Sequence, residues 1–359
     1  MKRLTLSDKT RSALITFAIV IGLFIAVQLL GAFGALSSLI KGQLVPICAY
    51  IVMAISLNLV VGVLGELSLG HAGFMSVGAF AGVITSLSLR AAIPSGGLRL
   101  LLAILVGGFF AAIAGALVGV PVLRLKGDYL AIVTLAFGEI IKSIINNLYV
   151  GFDAAGLHFS LLEKRMTLAV GSKMLIDGPM GVTGNQKLST FTAGFLLILV
   201  CLLLVYNLVD SRPGRAIMAL RDNTIAAESV GINITQYKLM AFILSAAMAG
   251  MAGALFAMNF ATLVPTKFDF NMSILVLVFV VLGGLGNMRG SIIATVLLSV
   301  LPELLRAYDK YRMLIYAIVL VLIMLATNNA GFKAFLSGIG ARVVKLLRKL
   351  FRKGDAVHG

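Results

Sequence analysis

Long uncharged stretches follow one another along almost the whole chain, and they constrain the fold more than any other feature. A membrane-spanning helix needs about 20 consecutive apolar residues, and the chain offers ten candidate stretches, of which the ninth is the shortest. The sequence therefore predicts an all-α integral membrane protein with about ten transmembrane helices. The predicted spans are Ser12–Ile40, Gly42–Gly65, Leu67–Leu89, Leu100–Leu123, Tyr129–Val150, Leu188–Val209, Leu239–Thr266, Phe270–Met288, Gly290–Pro302 and Met313–Phe332.

The composition agrees with a membrane protein. Of the 359 residues, 60% are hydrophobic and 12% are charged, and the mean hydropathy is +1.05, whereas soluble domains average about 25% charged residues. The net charge of +16 comes from basic residues dispersed at the ends of apolar stretches. Without a clustered basic face and interleaved aromatic residues, this pattern argues against nucleic acid as a partner and indicates contact with lipid headgroups.

The basic residues also predict the orientation of the chain, because Lys and Arg are enriched in the cytoplasmic flanks of membrane spans. Residues 1–12 form a basic N-terminal tail and 333–359 a basic C-terminal tail, so both are expected in the cytoplasm, with 13–332 as the transmembrane domain. The first apolar stretch exceeds a signal-peptide core of about 15 residues, and we expect it to stay as a span. The scheme places Gly151–Lys187 outside and Asp210–Lys238 inside.

A Gly- and Ser-rich segment between the second and third spans contains two ionisable side chains, Glu66 and His71. Ionisable groups within a membrane are costly and usually functional, and glycines allow a helix to unwind where its backbone faces protein or a water-filled cavity. The segment is therefore a candidate translocation pathway, and a tight turn at the membrane surface is the alternative. The candidate pathway residues are Asn58, Glu66, Ser68, Gly70, His71 and Glu139.

Two further charges, Glu139 and Lys142, interrupt the fifth span. They lie one helical turn apart, so they can pair with each other, which lowers the cost of placing them in a membrane. Alternatively, they could act with Glu66 and His71 as the proton or ion relay of a self-contained secondary transporter or channel.

The two hydrophilic segments differ in what they predict. In Gly151–Lys187, Pro and Gly at Gly178–Gly184 favour a fixed turn, and a short helix fits within His158–Lys164; the loop is either a plain connection or a binding loop. In Asp210–Lys238, Asn223 or Thr224 can cap a helix over Ile225–Val230, which Gly231 can end in a left-handed conformation. Such a short helix is marginal alone, so we favour docking on a partner over a plain linker.

Metal and nucleotide sites are not indicated by the sequence. Cys48 and Cys201 lie inside apolar stretches and are interpreted as small core residues. The three histidines, His71, His158 and His358, have no metal-site spacing. No Gly-x-x-x-x-Gly-Lys-Ser/Thr sequence occurs, so this chain lacks a phosphate-binding P-loop, and any ATP-driven work must come from another polypeptide.

Several ordered motifs, taken together, resemble one family. The stretches are Ser56–Gly62 leading into Gly65–Phe74, Arg124–Ala131, Phe137–Ile140, Gly178–Gly181, Gly214–Ala216, Arg221–Asn223, Ala226–Glu228 with Gly231, Gly283–Gly286 and Leu301–Leu304. Over almost its whole length the chain thereby resembles the permease subunits of ABC importers for branched-chain amino acids, of the LivM type.

The resemblance implies an ABC importer permease fold, with a possible internal inverted repeat, in the bacterial plasma (inner) membrane. It implies that 210–238 holds a coupling loop that docks into a cleft of a cytoplasmic ATPase. The residues expected to form that contact are Arg221, Asp222, Ala226, Ala227, Glu228 and Gly231.

The resemblance also implies the partners. They are a homologous permease subunit of the LivH type in a heterodimer, two ATPase chains that bind ATP and Mg, and an extracytoplasmic substrate-binding protein. The chain itself is expected to carry no cofactor and no catalytic residue. Permeases for urea, amides or simple sugars are the alternatives within this class.

Two positions depart from the family pattern. Glu66 stands where Gln looks commoner, so Glu66→Gln is expected to be tolerated. The outer loop before Gly178 looks longer than usual, which bears on the contact with the binding protein.

Overall fold

The computed structural model describes residues 8–33, 37–123, 128–153, 156–161, 173–305 and 311–328. The predicted basic tails fall largely outside these ranges. The described chain divides into two compact units, Met1–Leu298 and Ser299–Gly359, with a boundary inside one helix.

The described chain is mostly helical, which confirms the predicted class. Eight helices among the described residues are long and apolar enough to cross a membrane, while Met288–Leu304 and Arg312–Asn328 have 17 residues each, so the total of ten spans stays a prediction. The helix at the ninth predicted span, Met288–Leu304, is longer than the predicted Gly290–Pro302. The helices are α1 Asp8–Ala32, α2 Ser38–Asn58, α3 His71–Ser88, α4 Gly96–Val122, α5 Asp128–Asn146, α6 Phe191–Asp210, α7 Arg212–Asp222, α8 Thr224–Ser229, α9 Ile234–Ala257, α10 Phe270–Gly283, α11 Met288–Leu304 and α12 Arg312–Asn328.

The core lies where α3, α4 and α9 cross, with α2 packed beside them. A Cβ atom on Gly78 would overlap the backbone of Gly250, and one on Gly250 would overlap Ala111 and the carbonyl of Gly107. Small residues at such positions let helix backbones approach closely. We call this contact the three-helix crossing.

The second helix ends irregularly, and its end positions the candidate site. A π-helical turn, Leu59–Leu64, follows α2, and Gly65 closes it in the left-handed conformation with φ 82°. Glycine adopts this conformation without steric cost. The chain then has no regular secondary structure until His71, where α3 begins.

The predicted outer loop contains a small antiparallel sheet. Its strands are β1 Leu148–Asp153, β2 Gly156–Leu161 and β3 Lys173–Asp177, in the order β2-β1-β3. The short helix predicted within His158–Lys164 is therefore wrong over 158–161. The physical reason is pairing with β1, where Val150 stands opposite both Phe159 and Ile176 and the strand satisfies its backbone across two neighbours.

Candidate functional site

The irregular segment Gly65–Gly70, which we call the seam, lies in the helix bundle beside α9. Glu66 at its start forms an ion pair with Lys238 near the beginning of α9, and His71, just after it, contacts Ser245. Lys238 and Ser245 are seven residues apart, which is about 10 Å along a helix. The seam therefore runs along α9 over about two turns of that helix.

The irregular backbone of the seam is held by hydroxyl groups from neighbouring helices. The Leu69 amide donates to Thr134 Oγ1 of α5 at 3.1 Å, and the Ala72 amide in the first turn of α3 donates to Ser273 Oγ of α10 at 3.0 Å. A Cβ atom on Gly70 would overlap the carbonyl of Thr134. These contacts meet the requirement that unwound backbone inside a membrane be satisfied by protein.

His71 lies at the inner end of the seam and is buried. Its Nε2 is 3.2 Å from Ser56 Oγ and 3.0 Å from Ser245 Oγ. Both hydroxyl hydrogens are already donated, from Ser56 to the Met53 carbonyl and from Ser245 to the Ser56 carbonyl. Nε2 must therefore carry a hydrogen and donate it.

Two buried polar atoms at the seam have no hydrogen-bond partner among the described residues. They are Nδ1 of His71 and Oγ of Ser68. Buried polar atoms are normally satisfied by protein or water, so this cluster can hold water or a polar group in passage. Its chemistry suits weak polar contact, which a conduction route requires.

The ion pair between Glu66 and Lys238 lies at the start of the seam, which is its end nearer to α8. The two side chains are only 14% and 10% exposed, so each charge depends on the other for compensation. Sequence reasoning did not find Lys238, which lies 172 residues away from Glu66 along the chain. The available signal was a lysine placed directly before a long apolar stretch, Leu239–Thr266.

Arg221 connects the last turn of α7 to the junction between the π-helical turn and the seam. Its Nη1 donates to the Gly62 carbonyl at 3.1 Å, and its Nε and Nη2 donate to Asp222 Oδ1 at 3.0 and 2.9 Å. Its aliphatic stem lies against Gly65, where a Cβ atom would approach Arg221 Cγ to 2.5 Å. The sequence placed Arg221 in the predicted coupling loop, but not in contact with the seam.

Asn58 ties α2 to the turn between α10 and α11. Its Nδ2 donates to Ser291 Oγ at 2.9 Å, and its Oδ1 accepts from the Gly286 amide at 2.8 Å. The side chain is fully buried. Both ends of the amide are engaged, so the structure gives this candidate pathway residue a tie between helices.

Glu139 does not join the His71 cluster. It pairs with Lys142 one turn further along α5, which confirms that these two residues can pair with each other. Glu139 also lines a cavity of about 10 Å³ beside Gly73, Gly138 and Ser273, which has room for about one water molecule.

The predicted docking helix forms as α8, and its predicted cap is confirmed. Asn223 accepts from the Ala226 amide at 3.0 Å, and Gly231 follows with φ 85°. Ala227 faces its own chain with 4% exposure, whereas Ala226, Glu228 and the apolar side chains beside them are exposed.

The exposed face of α8 is apolar at its two ends. Ile225 is 82% exposed and Val230 is 75% exposed. Nothing lies within 4 Å of a Cβ atom built on Gly231. Exposed apolar groups around a short helix are typical of an interaction surface.

The described residues contain no group of three or more His, Cys, Asp or Glu side chains that could hold a metal ion. The structure thus places Glu66, Ser68 and Gly70 in the seam and His71 directly after it, with Arg221 at the junction between the π-helical turn and the seam. Glu139 lines the small cavity that Leu69 of the seam also lines, and Asn58 contacts the turn after α10.

Comparisons with known proteins give a consistent result. Residues 39–326 match the family model described as "Branched-chain amino acid transport system / permease component". The chain is 37% identical over 286 residues to the high-affinity branched-chain amino acid transport system permease protein LivM of Salmonella typhimurium, and 36% identical to that of Escherichia coli. Each alignment covers 77% of this chain and 66% of the relative, slightly less than two thirds of its length.

The alignment with a more distant relative covers a larger share of that relative. The permease protein LivH of the same system in Salmonella typhimurium is 24% identical over 296 residues, which is 77% of this chain and 88% of that protein. No solved structure is significantly similar to the chain.

Proposed function

Because the chain belongs to the permease-component family of branched-chain amino acid transport systems, we propose that it is the membrane-spanning permease subunit of an ATP-driven importer. It passes leucine, isoleucine and valine that an extracytoplasmic binding protein delivers. The names of the relatives and the eight apolar helices support this function.

The permease works with partner chains. A homologous permease subunit completes the membrane part, and two cytoplasmic ATPase chains bind ATP and Mg. The observation that supports an ATPase contact is the exposed apolar face of α8, with Ile225 and Val230 beside Ala226, Glu228 and Gly231. A groove on the ATPase receives this face as a helix in a groove, while Ala227 holds α8 against its own chain.

The orientation follows the charge bias of the flanks. Both termini and 210–238 lie in the cytoplasm, and 151–187, with its small sheet, lies outside. Labelling with a membrane-impermeant reagent at a cysteine introduced for His158 or for Asp222 tests this orientation. Reaction at position 222 but not at 158 from outside would reverse it.

One contact carries the mechanism: the hydrogen bond from Arg221 to the Gly62 carbonyl. When the ATPases close on ATP and displace α8, α7 moves with it because Asn223 alone separates the two helices. Arg221 passes that movement to the π-helical turn and the seam. The seam then changes its contact with Lys238 and His71, which opens or closes the route at the cytoplasmic end.

The competing function is a secondary transporter that relays protons or ions through Glu66, His71, Glu139 and Lys142. The pairing of Glu66 with Lys238 and of Glu139 with Lys142 disfavours it, because each carboxylate is already compensated by its own cation.

Uptake of labelled leucine into proteoliposomes separates the two functions. With the partner permease, the ATPases and the binding protein present, we expect uptake that requires ATP on the side of the membrane where the ATPases lie. Uptake by this chain alone, driven by a proton gradient and unaffected by ATP, would instead establish the relay.

A further inference from the structure

An open cavity of about 510 Å³ lies between α2, the end of α9 and the start of α10. Phe256 and Phe260, on its wall, lie at the far end of α9 from α8. The cavity therefore lies at the opposite end of the bundle from the proposed ATPase contact. Its volume is within the range of small-molecule sites, which is about 300–1,000 Å³.

The wall of the cavity combines a large apolar surface with a few polar groups. Tyr50, Phe256, Phe260 and Met272 supply aromatic and thioether surface, while Gln43 and Lys267 supply polar atoms. Gln43 and Tyr50 are seven residues apart on α2 and share one face of that helix. Small-molecule sites have this character, with a few polar groups that fix the orientation of a mainly apolar ligand.

Three polar groups of the cavity, on Gln43, Tyr50 and Lys267, are not used by the described parts of the protein, whereas Asn271 Nδ2 donates to Asp269 Oδ2 at 2.8 Å. Lys267 holds its ammonium group 4.2 Å from the centroid of the Phe260 ring. Within the described ranges it forms no ion pair, and the side chains of Gln43 and Tyr50 form no hydrogen bond. A cation positioned by an aromatic ring and lacking a carboxylate partner is well placed to receive an anionic group.

We propose that this cavity is a binding subsite for a free amino acid with an aliphatic side chain. Lys267 receives the carboxylate, the oxygens of Gln43 and Tyr50 accept from the ammonium group, and Tyr50, Phe256 and Met272 surround the side chain. The assignment rests on the proposed function and adds a site that is distinct from the seam.

The position of the cavity connects it with the seam. Tyr50 precedes Ser56 by six residues, about 9 Å along α2, and Ser56 contacts His71. Met272 directly precedes Ser273, which holds the start of α3. A substrate that leaves the cavity inward is therefore about two helical turns from the His71 cluster. A pocket that only held lipid would not need to lie so close to that cluster.

Protection of an introduced cysteine tests the subsite. Asn271 lines the cavity and is exposed, so Asn271→Cys, in a Cys48→Ala, Cys201→Ala background, provides a reactive thiol there. The assembled importer in nanodiscs is treated with a small maleimide, with leucine, isopentylamine or glycine at equal concentrations. Lys187→Cys, on an exposed residue outside the cavity lining, is the matched control.

We expect leucine to slow labelling at position 271 but not at position 187. Isopentylamine lacks the carboxylate and glycine lacks the side chain, so both should protect less. Lys267→Met should raise the leucine concentration for half-protection about tenfold, the size expected for a charged hydrogen bond, whereas Lys187→Met should leave it unchanged.

Three results would overturn the subsite. One is unprotected labelling at 271 in an importer that takes up leucine with ATP, and another is equal protection by all three compounds. The third is a thiol at position 271 that reacts in the isolated subunit but not in the assembled importer without leucine. That result would mean that a partner subunit fills the cavity. Absence of ATP-dependent leucine uptake by the wild-type importer would overturn the proposed function and the subsite together.

Discussion

The three-helix crossing and the seam share α3 and α9, but they are held together in different ways. At the crossing, Gly78, Gly107 and Gly250 bring helix backbones into direct contact over regular helix. At the seam, single hydrogen bonds and one ion pair fix a backbone without regular secondary structure. Close-packed backbone has one arrangement, whereas individual polar contacts can be exchanged one at a time. The comparison locates the rigid part of the permease at the crossing and its adjustable part at the seam.

The largest effect is expected from filling the crossing. Gly78→Leu places a side chain into the backbone of Gly250. Overpacking costs about 1–3 kcal/mol where side chains can move aside, and here the obstacle is backbone. We expect loss of monodisperse protein in gel filtration of a fluorescent fusion. Gly22→Leu, where nothing lies within 4 Å, should leave the profile unchanged, and a normal profile for Gly78→Leu would show that the crossing is not rigid.

The next effect concerns α8, through which the ATPases move the seam in the proposed mechanism. Ile225→Arg puts a charge into the proposed ATPase contact. Losing an interface anchor costs about 2 kcal/mol or more, so recovery of the ATPases with the tagged permease should fall about 30-fold at equal concentration. Phe159→Arg, on an exposed apolar side chain of β2, is the control. Wild-type recovery with Ile225→Arg would remove α8 from the interface.

Arg221→Met separates coupling from docking. It removes the donor to the Gly62 carbonyl and leaves the exposed face of α8 intact. A hydrogen bond to a charged group is worth about 1.5–3 kcal/mol, so ATP-driven uptake should fall about tenfold or more while the ATPases stay bound. Arg215→Met is the matched control. Arg215 also donates to a backbone carbonyl, but to that of Asp210, five residues away, and not to the seam. Equal uptake by the two variants would refute the link from α8 to the seam.

The smallest effect is expected from breaking the ion pair between Glu66 and Lys238. The family resemblance predicted that Glu66→Gln is tolerated, and the structure changes that expectation. Glu66→Gln leaves Lys238 largely buried without a counter-charge. Breaking a fully buried pair costs about 3–5 kcal/mol, and the partial exposure of this one reduces that value. We expect a lower thermal midpoint for Glu66→Gln and for Lys238→Met, with recovery in the double variant. Additive losses in this cycle would mean that the two side chains do not interact.

The features that were predictable from sequence are those that depend on local pattern. Apolar length predicted the spans, and the Asn223 cap with the Gly231 conformation predicted α8, because the capping oxygen and the positive φ act within a few residues. The pairing of Glu139 with Lys142 followed from spacing along one helix. Each of these signals lies within a single element.

What the sequence did not predict depends on contacts between distant elements. Lys238 meets Glu66 and Arg221 meets Gly62 only because α7 and α9 pack against the end of α2. The strands of the small sheet were missed because β1 is paired on both sides by segments that are polar in part. The contacts of Asn58 with Ser291 and Gly286 were not predicted, because nothing local reveals that these residues engage its amide.

Arg221 has one more consequence, for the genetics of the permease. The group that receives its hydrogen bond is the backbone carbonyl of Gly62, which every amino acid carries. Replacement of residue 62 cannot change the chemistry of that acceptor, and a larger side chain there would overlap Asn58 and Gly286. A mutant that has lost Arg221 therefore has no compensating substitution at its contact partner, and suppressors must arise elsewhere, at positions that change how α7 sits. Only at Arg221 can a change of side-chain chemistry remove a partner of this hydrogen bond.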